Sequence, residues 1–168
     1  MNQHTADYWI SHLKLDIHPE GGAYARVYTS SLLINKESLP ENFQGSRPVC
    51  THIYYLLQPN EFSAFHKIQS DELWHFYDGD TLTIYEINND GLLTEHLLGK
   101  NIEEGESPFC FIKAGNWFAA SLEPGGNFSL AGCTVSPGFD FAEFEMAERN
   151  NLILKYPQHE ELISTLTR

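Results

Sequence analysis

Positive charge is scarce in this chain of 168 residues. Ten Lys and Arg stand against 23 Asp and Glu, which gives a formal net charge of −13. A chain of this charge repels the phosphates that dominate nucleic-acid affinity, and it repels anionic membrane surfaces. We therefore expect neither nucleic acid nor a membrane among its partners.

Cysteine and long apolar runs are scarce as well. Cys50, Cys110 and Cys133 are odd in number, lie far apart and form no Cys-x-x-Cys pair, so no disulfide framework is expected. No stretch approaches the ~20 apolar residues of a membrane span. The first residues lack the basic and apolar regions of a signal peptide. These absences predict a cytoplasmic protein with reduced thiols.

Hydrophobic residues make up 42% of the chain and aromatic residues 13%, which argues for a folded core. Most of the chain consists of short segments of period two, bounded by turn residues. These segments are 23–29, 49–57, 62–68, 72–77, 81–87, 92–98, 108–113, 117–122 and 128–135. Many short strands at spacings of ~8–12 residues indicate an all-β sandwich or barrel.

Both ends have a helical pattern. We predict an N-terminal helix over about 5–14, with Thr5 as its N-cap, and C-terminal helices over about 147–167. The β-body spans about 18–146, and the whole of 1–168 is expected to form one domain. The apolar stripe at the end of the chain can pack on the β-body or contact a second subunit.

His66 and Glu72 are the first candidates for chemistry. They lie on two predicted strands joined by the polar turn 69–71, and a hairpin of this kind directs both side chains towards one interior space. A His with a carboxylate can act as a general base and its orienting partner, or as two metal ligands.

The same stretch resembles the first cupin motif, Gly-x5-His-x-His-x3,4-Glu-x6-Gly. His66, Glu72 and Gly79 match the motif, whereas Ile68 replaces its second His. In the region of the second motif, Phe118 stands where the last metal-binding His is expected.

A narrower resemblance covers most of the chain, from about His18 to Glu145. The phrases HPEGGAYARVY, HIYYLL, FHKIQSDELWHFYDGD, LLGKNIEEGESP, KAGNWFAA and LAGCTVSPGFDFAEFE are similar to the Cupin_5 (DUF985) subfamily and occur in its order. This resemblance implies a cupin double-stranded β-helix, a jelly-roll barrel related in fold to sugar-nucleotide epimerases of the RmlC type. It also implies a homodimer. It brings no settled activity, because the subfamily is largely uncharacterised.

A standard cupin metal site has three His and one Glu, and only one His and the Glu remain at those positions here. Two ligands rarely hold a divalent ion. We therefore expect no cofactor, and keep a divalent metal as an alternative. Its candidate ligands are His66, Glu72 and His52.

Strand parity predicts the surroundings of Glu72. If Glu72 points into the barrel, the alternate side chains of its strand do too, and His75 points outwards. The predicted walls of the pocket are Trp74, Phe76, Trp117 and Phe118. Aromatic walls around a few polar groups are typical of a small-molecule site. Arg26 can pair with Glu72 or bind a substrate anion.

Three functions fit these residues. The first is a small-molecule-binding cupin that acts as a metal-independent epimerase or isomerase on a sugar-like or polar carbonyl substrate, with His66 as the base and Glu72 as its partner. The second is a non-catalytic module that binds or senses a small ligand. The third is a metal-dependent cupin enzyme with a degenerate site.

Overall fold

Two antiparallel sheets form the body of the protein in a computed structural model that describes residues 4–168. The strands are β1 (Asp16–Ile17), β2 (Ala23–Thr29), β3 (Leu33–Ile34), β4 (Arg47–Pro48), β5 (Thr51–Leu57), β6 (Phe62–Lys67), β7 (Asp71–Gly79), β8 (Leu82–Ile87), β9 (Leu93–Leu98), β10 (Phe109–Ile112), β11 (Trp117–Leu122), β12 (Ser129–Ser136) and β13 (Glu145–Met146). One sheet has the order β1-β2-β5-β12-β7-β10, and the other has the order β13-β6-β11-β8-β9. Strands β3 and β4 form a separate pair. The sheets do not close, and the prediction of a mostly β, jelly-roll fold is confirmed.

The main core lies between the two sheets, because its buried members come from strands of both. Tyr55, Trp74 and Cys133 belong to the six-stranded sheet, whereas Ile84 and Phe118 belong to the five-stranded sheet. The alternation of side chains along each strand separates this core from the outer faces of the sheets.

Short helices cover parts of the outer faces, as the sequence predicts. Helix α1 (Ala6–Leu13) begins at Thr5, whose side chain accepts a hydrogen bond from the Tyr8 amide, and it packs on the six-stranded sheet. Helices α2 (Arg149–Lys155) and α3 (Glu160–Thr165) pack on the five-stranded sheet. The apolar stripe of the C-terminal end therefore packs on the β-body. None of the helices in residues 4–168 is long and apolar enough to cross a membrane.

None of the helices in the described residues packs on a large part of the outer face of the six-stranded sheet. We call this the outer aromatic face; it comprises Tyr28, His52, His75, Tyr77, Phe109 and Phe111. His52 donates to or accepts from Thr134 Oγ1 at 2.7 Å and the Tyr77 hydroxyl at 3.1 Å. His75 lies here too, as strand parity predicts.

The segment 139–144, which we call the mouth segment, follows β12 and lies over one end of the space between the sheets. A buried ion pair holds it, in which the Arg47 guanidinium donates to both oxygens of Glu143. The backbone N–H of Gln44 donates to Oε1 of the same carboxylate at 2.9 Å. The mouth segment is thereby attached to β4 and to the loop before it.

Candidate functional site

A cavity opens at the mouth segment and extends between the sheets. Its polar lining includes His18, Glu20, Arg26, Thr51, His66 and Glu72. Its apolar walls are Ile53, Ile68, Val135, Phe139, Phe141 and Phe144. The free volume is about 480 Å³ including the part open to solvent.

Both ring nitrogens of His66 are engaged by the protein. Nδ1 lies 2.7 Å from the Ala64 carbonyl oxygen, and Nε2 lies 3.0 Å from Oε2 of Glu20. A carbonyl oxygen only accepts, so Nδ1 carries a hydrogen, and one further proton must lie between Nε2 and Oε2. Burial of the ring against Phe118 and Phe144 lowers the pKa of His66 to about 4.

Glu20 is buried and belongs to the same arrangement. Its Oε1 accepts a hydrogen bond from the Ser63 hydroxyl at 2.9 Å, and its backbone N–H donates to Nδ1 of His18 at 3.3 Å. Burial raises the pKa of Glu20. With the pKa of His66 lowered, the shared proton belongs to Glu20, so a neutral carboxylic acid donates to a neutral imidazole.

Glu72 is the carboxyl group that the protein leaves free. Its side chain is buried, and among residues 4–168 it makes no hydrogen bond to a protein nitrogen or oxygen; only the Cys133 thiol lies in hydrogen-bonding contact. Burial, and secondarily the nearby Glu20, raise the pKa of Glu72 to about 8. At neutral pH most of this group is therefore protonated, and it can donate a hydrogen bond into the cavity.

Arg26 lies at the opening of the cavity. Its guanidinium stands over the Phe139 ring, 5.7 Å from the ring centroid. Within the described part of the chain no carboxylate oxygen lies within 4.0 Å of it, so the predicted pairing with Glu72 does not occur. The side chain is exposed and its charge is available to a ligand.

Three of the predicted site residues, His66, Glu72 and Arg26, line the cavity. Its aromatic walls are not the four residues that the sequence predicted. Trp74 is core, and Phe76 lines a separate groove with Lys100.

Trp117 and Phe118, two neighbours on β11, were also predicted as walls, and neither lines the cavity. Phe118 packs its ring against His66 with 4.0 Å between centroids, behind the cavity lining. Trp117 lies on the opposite face of β11, where it packs with Phe65 and Leu152. Its prediction as a wall is wrong, because adjacent residues of one strand point to opposite faces.

The predicted metal ligands do not converge. His52 lies on the outer aromatic face, away from His66 and Glu72, because β5 alternates and Ile53 is the residue that lines the cavity. Ile68 and Phe118 occupy the other two expected positions with hydrocarbon. Among residues 4–168 no group of three or more His, Cys, Asp or Glu has the geometry to hold a metal ion. These residues do not fit a cupin metal centre.

Sequence reasoning missed Glu20 and the mouth segment. Glu20 lies in the loop between β1 and β2, far from His66 in the chain, and only the sheet topology brings the two together. A carboxylate enclosed by Pro19 and Gly21 in a tight turn was the available signal. The aromatic sequence Phe139-Asp-Phe-Ala-Glu-Phe144 was the signal for the cavity mouth.

Comparison with known proteins agrees with this architecture. The family model described as Cupin_5, Cupin superfamily (DUF985), matches residues 7–147. A hypothetical protein from Leishmania major is 33% identical, with a TM-score of 0.89 over 98% of this chain and 99% of the other. A protein from Shewanella oneidensis is 37% identical, with a TM-score of 0.87 over 99% of both chains.

More distant similarity concerns the fold alone. Oxalate decarboxylase from Bacillus subtilis is 12% identical, with a TM-score of 0.54 over 90% of this chain and 37% of that one. No curated protein matches the sequence.

Proposed function

The chain belongs to the Cupin_5 (DUF985) family of the cupin superfamily, and on that premise we propose that it binds a small polar molecule in the cavity between its sheets. One observation carries the proposal. Glu72 is a buried carboxyl group with no nitrogen or oxygen partner in the part of the chain that the structure describes, and it lines a cavity that opens to solvent. Burying such a group costs free energy unless a hydrogen-bonding partner compensates.

The chemistry of the cavity indicates how the ligand is held. The protonated carboxyl of Glu72 donates to a carbonyl or hydroxyl oxygen of the ligand and accepts from a hydroxyl. The hydrocarbon walls supply contact area, and the few polar groups fix orientation. The Glu20–His66 pair is already satisfied within the protein, so it shapes the cavity without requiring a ligand.

The test uses the full chain purified without an affinity tag. Native mass spectrometry should find a co-purified organic molecule, or ligand-observed NMR should find one after screening aldoses, polyols and hydroxy acids. Binding should weaken in Glu72→Leu, which removes both the donor and the acceptor, and persist in Glu95→Leu, a matched change at an exposed position on β9. Equal affinities of the two variants would show that the ligand does not bind at Glu72.

Catalysis of proton transfer is a second candidate, favoured by the presence of a protonated acid beside the Glu20–His66 pair. Glu72 would give its proton to a ligand oxygen, while a proton from the adjacent ligand carbon passes to Glu20 and the proton of Glu20 passes to Nε2 of His66. The reverse transfers restore the starting states. His66 acts through Glu20 here, because both of its ring nitrogens are already engaged by the protein.

Deuterium exchange distinguishes catalysis from binding. The protein is incubated in D2O with the sugars and carbonyl compounds that bind, and carbon-bound deuterium is measured by NMR. An enzyme should introduce deuterium, and Glu20→Gln should abolish this while leaving binding in place. Binding without exchange would leave the non-catalytic, ligand-binding function. A metal-dependent activity has less support, since hydrocarbon fills two of the four ligand positions.

Location and assembly belong to the proposal as well. A cytoplasmic location is supported by the three cysteines, all of them free thiols. A homodimer is supported by the outer aromatic face, where Tyr28, Tyr77, Phe109 and Phe111 are all more than 40% exposed.

A further inference from the structure

The cavity continues outwards into a surface groove. The groove shares Tyr24, Arg26, Phe139 and Phe141 with the cavity. The free volume of the groove is about 970 Å³, against about 480 Å³ for the cavity, both including the part open to solvent. A ligand held at Glu72 therefore has room to extend past Arg26 and onto the surface.

The interior of the cavity lies between the sheets and has a smaller free volume than the groove. A small head group fits the interior, and the rest of a larger ligand lies in the groove.

The charges along this path differ between its two parts. In the interior, burial favours the neutral forms of Glu72 and of the Glu20–His66 pair, so these groups favour an uncharged head group. Arg26 is the cationic side chain at the junction. Further out, the groove is flanked by the carboxylates of Asp16 and Asp140. A single anionic group therefore fits at the junction, and a second one in the groove is repelled.

We infer that the ligand is a small acid with two distinct ends. A small uncharged head bearing a hydroxyl or carbonyl group enters the cavity and hydrogen-bonds to Glu72. One carboxylate or phosphate pairs with the Arg26 guanidinium, and the remainder of the molecule, if any, is uncharged and lies on Phe139 and Phe141. This inference rests on the proposed function, since it specifies the ligand of the same cavity.

Matched probe pairs test the anionic group separately from the head. The anions are 3-hydroxybutyrate and glyceraldehyde 3-phosphate, and their neutral counterparts are butane-1,3-diol and glyceraldehyde. Each is titrated by NMR into the full chain and into the variants Arg26→Gln, Glu72→Leu and Lys100→Gln. Lys100 is an exposed cation beside Phe76, outside the cavity and the groove, and so controls for net charge.

At least one anion should bind more tightly than its neutral counterpart. In Arg26→Gln, the loss of a charge-assisted hydrogen bond should lower the affinity for that anion by about 10- to 100-fold. In Lys100→Gln, the affinity should change little. The response of the two anions then distinguishes a carboxylate from a phosphate. In Glu72→Leu, binding of both the anion and the neutral compound should weaken, because the hydrogen bonds to the head group are lost.

Two results overturn the inference, and they are distinguishable. If no anion shows saturable binding, or if Arg26→Gln and Lys100→Gln weaken binding of the anion equally, the anionic end is wrong; a neutral compound sensitive to Glu72→Leu would leave the proposed function standing. If Arg26→Gln weakens binding of the anion but Glu72→Leu does not, the anion lies in the groove alone, and both the two-ended ligand and the proposed cavity function fail.

Discussion

Glu20 Oε2 lies 3.0 Å from Nε2 of His66, and this pair replaces the His66–Glu72 partnership that the sequence suggests. The Ala64 carbonyl fixes the tautomer of His66, and the Ser63 hydroxyl donates to the other oxygen of Glu20. Both members are buried, so the neutral form of the pair is favoured over two charges. Glu72 is thereby left to the cavity.

The protonation state of Glu20 can be tested by substitution. Glutamine has the shape of a protonated glutamate, and its amide can donate to His66 while its oxygen accepts from Ser63. Glu20→Gln should therefore change the free energy of unfolding by less than about 1 kcal/mol, whereas Glu20→Ala should cost about 1–3 kcal/mol because polar partners are left unsatisfied.

Urea denaturation of both variants at pH 7 gives these values, and ¹⁵N NMR of His66 gives the tautomer directly. The Nδ1–H tautomer should persist in wild type and in Glu20→Gln. A large loss of stability in Glu20→Gln, or an imidazolium spectrum of His66 at pH 7, would mean that the pair is ionised.

The pH dependence of stability should carry the signature of Glu72. Its folded pKa of about 8 lies above its ordinary value of 4.5, so its protonated form contributes stability that is fully present below pH 4.5 and is lost as the pH rises through 8. Between pH 4.5 and 8, the free energy of unfolding of wild type should fall, relative to that of Glu72→Gln, by up to about 1.4 kcal/mol per pH unit.

His66 acts with the opposite sign. Its folded pKa of about 4 lies below its ordinary value of 6.5, so its neutral form contributes stability above pH 6.5 that is lost as the pH falls towards 4. The effect of Glu72 is therefore clearest between pH 6.5 and 8, where His66 no longer changes. Urea denaturation of wild type and Glu72→Gln at these two pH values measures it; parallel stabilities would show that Glu72 titrates normally.

The sequence was sufficient for the strands because their signal is local. Alternation and turn residues locate β2, β11 and β12 closely, and Thr5 locates the start of α1. The resemblance to a cupin family supplies the topology, which alternation alone does not contain. The bounds that shifted, such as β5 beginning at Thr51, lie at the strand ends.

The site was only partly predictable, because it depends on contacts distant in the chain. The hairpin relation correctly directs His66 and Glu72 into one cavity. The pairing of His66 with Glu20 follows from how the β1–β2 loop lies against β6, which no local pattern encodes. Whether Trp117 or Phe118 points between the sheets depends on the register of β11, because a shift of one residue reverses the face to which each side chain points.

The anchor of the mouth segment should be essential for stability. Arg47 and Glu143 are both buried, and removing one partner leaves an uncompensated charge. Glu143→Ala should therefore cost about 3–5 kcal/mol of unfolding free energy. The exposed pair between Lys67 and Glu145, with 2.9 Å between its charged atoms, is the matched control; Glu145→Ala should cost at most about 1 kcal/mol.

Hydrogen exchange of the mouth segment reports whether the anchor acts locally. Glu143→Ala should speed amide exchange at Phe141 and Phe144 more than in the strands. Equal costs of the two variants by urea denaturation would show that the buried pair is not the anchor.

The outer aromatic face should carry the contact between two copies. A charge placed there meets its symmetry mate in a two-fold dimer and is desolvated, so Phe111→Asp should give monomers. Light scattering coupled to size exclusion should find wild type at twice the chain mass of 19.2 kDa and the variant at 19.2 kDa, with circular dichroism unchanged. Leu154→Asp is the control, because Leu154 is 80% exposed on α2, on the other side of the molecule's two sheets. A monomeric wild type would refute the dimer, whereas dissociation by Leu154→Asp alone would move the contact to the C-terminal helices.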